Sequence, residues 1–253
     1  MHARSPALAL WRLPDSPLMR VLAIVHQQDA GPGVFADAIR SHGAHLDLWR
    51  YPEDRQPRRG PREYDAVMTF GGAMHPNQEC WSSWLAEEKA LLAELLARHV
   101  PLLGVCLGAQ LLAEAAGAST RRAREPEIGW HPVEVLDGAG NDPLLAPLRP
   151  RFTAFGWHSY EFPLPPLATP LARSATCLQA YRIGDFAWGI QFHAEVTGTD
   201  IEAWIDDRRS DPDAVRMELD WHELRERTRA SIGGWNELGR ALCQRFLDAA
   251  TRA

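Results

Sequence analysis

The chain has 253 residues, 45% of them hydrophobic and 24% charged, enough to bury one substantial core. A formal net charge of −6 leaves no global basic field for nucleic acid or anionic lipid, and no apolar run approaches the roughly 20 residues that span a bilayer. Four scattered cysteines (Cys80, Cys106, Cys177, Cys243) without a CxxC argue against a disulfide framework and against a structural metal, so the cytoplasm is the expected compartment.

Residues 1–18 contain only a short apolar patch broken by Arg12 and Pro14, and read as an extension without a signal peptide. A single domain is expected over 19–253. Arg20–His26 is a continuous apolar run, the mark of a strand buried on both faces. Pro32 opens a helix running to about Ser41, and "AHLDLWRY" alternates as a second strand. After a Pro- and charge-rich loop, "YDAVMTFGGAM" is a third strand ending at Gly71-Gly72. Ser82 or Ser83 caps the helix "WLAEEKALLAELLARH", and Pro101 restarts the chain into strand "PLLGV". Leu107, Leu111, Leu112, Ala115 and Ala116 then follow helical spacing up to Gly117.

This alternation predicts an α/β fold with a mostly parallel, doubly wound sheet flanked by helices. Between 128 and 193 short strands predominate, with a hairpin turn at Gly184-Asp185, which predicts a smaller antiparallel region. Residues 199–250 read as two or three helices, broken near Ser210-Asp211-Pro212 and at Gly233-Gly234.

Gly104-Val105-Cys106-Leu107-Gly108 is G-x-C-x-G at a strand-to-helix junction. Its serine counterpart is the nucleophile elbow, a sharp turn that lifts the side chain clear of the sheet. The helix beginning at Leu107 aims its N–H groups and positive dipole end at the sulfur, which favours thiolate and offers an oxyanion donor. Alone, the motif fits a buried cysteine beside helix-packing glycines equally well.

A thiolate nucleophile needs a base, and the base needs an orienter. "WGIQFHAEVT" supplies both: His193 and Glu195, two residues apart at a strand end, point to the same side. Together the three residues favour chemistry over packing.

The order Cys, His, Glu resembles the class I (triad-type) glutamine amidotransferases, and the stretches "FGGAM", "PLLGVCLGAQLLAEAAGA", "EIGW", "WHSYEFPLPP", "LQAYRIG" and "GIQFHAEVT" follow that family's order and spacing. The resemblance implies a flavodoxin-like sheet and a γ-glutamyl thioester on Cys106, with His193 as base and then acid and Glu195 orienting it. It also implies an oxyanion hole from the Leu107 N–H and the Gly71-Gly72 turn, and a substrate contact from Gln110. It implies no cofactor and no metal. Ala194 stands where the family usually has proline, and Ala109 where a histidine is common. His158 lies in a segment near the family's active-site mouth, whereas His26, His75 and His131 receive no role.

The activity expected is therefore hydrolysis of the glutamine side-chain amide, with ammonia released free or to a separate synthase subunit. The stretch after residue 198 is too short for a synthetase domain. The alternative is a free-standing γ-glutamyl amine or peptide hydrolase, and a third reading is a non-catalytic binding or regulatory domain. Acceptor, pathway and oligomeric state are not written in these residues.

Overall fold

The computed structural model describes residues 18–78 and 82–252, so Cys80 and all but the last residue of the expected N-terminal extension lie outside the described residues. The strands are β1 (Arg20–Val25), β2 (His45–Arg50), β3 (Ala66–Thr69), β4 (Leu102–Val105), β5 (Arg121–Val135), β6 (Arg151–Glu161), β7 (Ala168–Arg173), β8 (Leu178–Ile183) and β9 (Ala187–Ile190). The helices are α1 (Gly33–His42), α2 (Trp84–Ala97), α3 (Leu107–Ala115), α4 (Gly198–Asp207), α5 (Pro212–Arg216) and α6 (Trp221–Ala250).

All nine strands join one sheet in the order β2-β1-β3-β4-β9-β8-β7-β5-β6. From β2 to β9 the pairings are parallel, and from β9 to β6 they are antiparallel. The fold is the expected α/β arrangement, but the antiparallel strands are a continuous extension of the sheet rather than a small appendage.

Periodicity explains the layers. On β1, Val21, Ala23 and Val25 pack with Val34, Phe35 and Ile39 of α1 and Leu242 and Phe246 of α6. Leu22 and Ile24 face the other way, against Leu85, Leu92 and Leu95 of α2 and Leu107 and Leu111 of α3. Each fully buried aliphatic side chain of this kind contributes about 1.5–3 kcal/mol. β1, β3, β4 and β9 are therefore sandwiched, which accounts for their unbroken apolar runs.

One expectation fails. Gly233-Gly234 does not break the chain, and α6 runs unbroken over 30 residues. Glycine costs a helix about 1 kcal/mol per residue, but Trp235, Leu242, Phe246 and Leu247 dock on the core and outweigh that local preference. The break before α5 is present, with Asp211 capping the Asp213 and Ala214 N–H groups. Among the described residues no helix is long and apolar enough to cross a membrane.

Candidate active site

Four adjacent parallel strands, β1, β3, β4 and β9, release the chain at their carboxyl ends into His26, Gly71-Gly72, Cys106 and the segment holding His193. Open α/β sheets build their ligand sites at that end.

Cys106 sits between β4 and α3 with φ 52° and ψ −111°, a sparsely populated conformation that costs on the order of 1–3 kcal/mol. The surroundings hold it there. Its N–H donates to the Ile190 carbonyl of β9 at 2.8 Å, and the Gly108 N–H donates to the Phe70 carbonyl at 3.1 Å. A Cβ on Gly108 would collide with the Thr69 carbonyl, so only glycine lets α3 start this close to the end of β3. Leu107 is the first residue of α3, where a backbone N–H has no intrahelical partner.

His193 and Glu195 lie past the end of β9, in a stretch without regular structure. His193 Nδ1 is 2.7 Å from Glu195 Oε1, and both side chains are buried. The segment is tied from several sides. The His193 N–H donates to the Phe155 carbonyl at 2.9 Å, and the Trp235 indole N–H of α6 donates to the His193 carbonyl at 2.8 Å. The Val34 N–H of α1 reaches the Glu195 carbonyl at 2.8 Å, and the Asn236 amide reaches the Val196 carbonyl at 2.7 Å. Gly239 of α6 lies so close to the Ala194 carbonyl that a Cβ there would collide with it.

Burial alone would lower the His193 pKa. The Glu195 carboxylate and the Cys106 sulfur beside the ring outweigh it and push it up to about 10. Gly71 packs against the same ring: a Cβ on it would stand 3.0 Å from His193 Cε1 and 3.7 Å from Cys106 Cβ.

A cavity of about 300 Å³ collects Cys106, Leu107, Gly72, Gln110 and His193 on one wall. Trp157, Tyr160, Trp204 and residues 207–213 form the rest, together with His75 stacked on Tyr160 at 4.3 Å. Arg122 also lines it and pairs with Asp213, so it is not the solvated surface arginine its Arg-Arg context suggested. Gly71 and Glu195 stand behind this wall. Gln110 is buried, and its amide N–H groups donate to the Tyr160 carbonyl at 3.0 Å and to Gln191 Oε1 at 3.1 Å. Only its Oε1 is left for a ligand.

His158 shapes the wall from behind. Its Nδ1 donates to the Tyr160 carbonyl at 3.0 Å, and its Nε2 lies 3.2 Å from Glu127 Oε2. The Gln179 amide donates to that same oxygen at 2.6 Å, and Cys177 Sγ stands 3.7 Å away. The groups converge on one carboxylate oxygen rather than ringing an ion-sized space. Burial would raise the Glu127 pKa, but the His158 contact holds it down at about 2.

The chain matches the family model of glutamine amidotransferase class-I over residues 33–208. It belongs to that family. Among its relatives, a glutamine amidotransferase-like protein of Salmonella typhimurium, YfeJ, is 30% identical over 192 residues, covering 74% of this chain and 80% of the relative. The glutamine-hydrolyzing subunit of the GMP synthase of Sulfolobus acidocaldarius is 33% identical over 144 residues, 55% of this chain and 71% of the relative. A solved glutamine amidotransferase of Thermotoga maritima superposes with a TM-score of 0.81 at 31% identity, over 91% of this chain and 98% of that one.

In this glutamine amidotransferase, sequence reasoning missed two groups around the site. The grip of α6 has no local signature. The other, His26 with Glu88, does have one: Glu88 interrupts the buried stripe Leu85, Leu92, Leu95 of α2, and it is itself 1% exposed. A carboxylate on the apolar face of a helix calls for a buried partner.

Proposed function

We propose that the chain hydrolyses the side-chain amide of glutamine, with Cys106 as nucleophile, His193 as proton carrier and Glu195 as its orienter. The observation that carries this reading is the strained Cys106 elbow opening into the same cavity as His193, whose Nδ1 is held by Glu195 at 2.7 Å. With the His193 pKa raised by Glu195 and Cys106, the resting pair is thiolate and imidazolium.

The sulfur attacks the amide carbon, and the oxyanion accepts from the Leu107 N–H and from the Gly71-Gly72 turn. The imidazolium gives its proton to the leaving nitrogen, ammonia departs and a γ-glutamyl thioester remains. Water then transfers a proton to His193 as it attacks the thioester, and glutamate leaves as the thiolate–imidazolium pair re-forms. Gln110 Oε1 is placed to accept from the substrate ammonium. Ammonia passes to a separate synthase or is released. The Sulfolobus relative's name as part of a synthase favours the former.

A second reading has its own support, because the cavity continues past Cys106 to Trp204 and residues 207–213 and leaves room for a leaving group larger than ammonia. Glutamate release from glutamine and from a panel of γ-glutamyl amines and dipeptides separates the two. Glutamine turnover is expected, with kcat below the ~10 s⁻¹ typical of enzymes. A kcat/KM for any amine or peptide about 10²-fold above that for glutamine, roughly 2.7 kcal/mol of differential transition-state binding, selects the γ-glutamyl amine or peptide hydrolase. No turnover of any of them points to a binding domain.

A further inference from the structure

Beneath the Gly71-Gly72 turn lies a buried polar group that the reaction above does not use. His26 follows the last residue of β1, and its ring stacks on Trp84 of α2 at 5.1 Å. Its Nδ1 is 3.1 Å from the Gly71 carbonyl oxygen, and its Nε2 is 2.7 Å from Glu88 Oε2. Thr69 Oγ1 donates to the other Glu88 oxygen at 2.6 Å. Gln27, next in the chain, accepts the Ala73 N–H at 2.7 Å, so the end of β1 grips the turn at two points.

A peptide carbonyl and a carboxylate are both acceptors. A ring bonded to both donates from both nitrogens and is an imidazolium. Burial works against that charge, but Glu88 and the carbonyls of Gly71 and Phe70 prevail and the His26 pKa is raised.

In a trans peptide the N–H points opposite to the C=O. With the Gly71 carbonyl drawn into His26, the Gly72 N–H is turned away from it, and Gly72 lines the cavity beside Cys106 and Leu107. We propose that His26, charged through its pairing with Glu88, is a positioning residue that keeps the Gly72 N–H directed at the oxyanion formed during attack by Cys106. The flipped peptide would present a carbonyl oxygen to that negative charge. The role rests on the amidase reading, and because the oxyanion exists only after attack it acts on kcat rather than on substrate binding.

The test measures glutamate release from glutamine and from γ-glutamyl hydroxamate, together with alkylation of Cys106 by iodoacetamide, a displacement that forms no oxyanion. His26→Phe keeps the stacked ring and removes both donors. A kcat loss of about 10²-fold is expected, with KM within about threefold of wild type. Alkylation of Cys106 is expected at the wild-type rate. His26→Asn, which restores one donor toward Gly71, should recover at least about tenfold of that loss. Glu88→Gln, which keeps the shape and removes the charge, should lower kcat in the same KM-neutral way and serves if His26→Phe does not fold.

Wild-type kcat in His26→Phe, or in Glu88→Gln where only that variant folds, overturns the proposal. So does a loss that appears equally in KM and in alkylation and that asparagine fails to rescue. Wild-type turnover by Cys106→Ala, or none by the wild type on either substrate, overturns the amidase reading itself and this role with it.

Discussion

The two halves of the proposed reaction centre are built in opposite ways. Cys106 is held by its own neighbourhood: β4 leads in, α3 leads out, and Gly104 and Gly108 leave space for a turn with φ 52°. His193 and Glu195 have no such frame. Their segment is fixed by Phe155, Val34, Trp235 and Asn236, which belong to β6, α1 and α6. A nucleophile of this kind is written in five consecutive residues, whereas its base is positioned by packing across the whole domain. The comparison also explains Ala194, which stands where the family usually has proline. Here Gly239 brings α6 onto the Ala194 carbonyl, so tertiary contact supplies the rigidity that a proline ring would give locally.

The largest effect expected comes from the locally built half. Cys106→Ala should reduce glutamine hydrolysis to background while leaving stability within about 1–2 kcal/mol of wild type by denaturant titration. Residual turnover would move the chemistry to another group.

Glu195→Gln tests the other half. Glu195 Oε2 has no partner among the described residues, so the carboxylate charge is balanced by His193. The amide keeps the contact to the ring but loses that charge, and kcat should fall by about 10² or more, as for the carboxylates of serine triads. An unchanged kcat would mean that another group orients His193.

Two glycines of α6 separate the clamp from the helix. Gly239→Leu drives a side chain into the Ala194 carbonyl and should cost about 1–3 kcal/mol of stability together with a fall in kcat. Gly234→Ala meets nothing within 4 Å and should stabilise the fold by about 0.5–1 kcal/mol with activity unchanged. Equal effects at the two positions would remove α6 from the account of the site.

The smallest effect expected is on the pH dependence of stability. His193 has its pKa raised from 6.5 to about 10 in the folded chain, so its contribution is fully present below pH 6.5 and is lost as pH rises through 10. Unfolding free energy should decline over that window, and His193→Asn should flatten the slope. His26 is shifted in the same direction and adds to the decline. A slope unaffected by His193→Asn would show that the ring is not held as a cation.

What the sequence made legible follows the same division. The parallel strands, the hairpin at Gly184 and the elbow at Cys106 each depend on residues within a few positions of one another, and each could be read directly. His193 and Glu195 were legible as a pair because an i, i+2 spacing survives even where β9 has ended. The continuity of α6 was not, since two adjacent glycines signal a break unless the docking surface beyond them is known. Nor was His26, because its partners Gly71 and Glu88 stand 45 and 62 residues away and meet it only when β1, β3 and α2 assemble.

The central claim is a covalent intermediate on Cys106, and acid quenching during glutamine turnover followed by peptide mass mapping tests it most directly. A mass increase of one γ-glutamyl group is expected on the peptide containing Cys106, and it should be absent from the peptides of Cys80, Cys177 and Cys243 and removed by neutral hydroxylamine. Turnover with no adduct on Cys106, or an adduct on another residue, would contradict it.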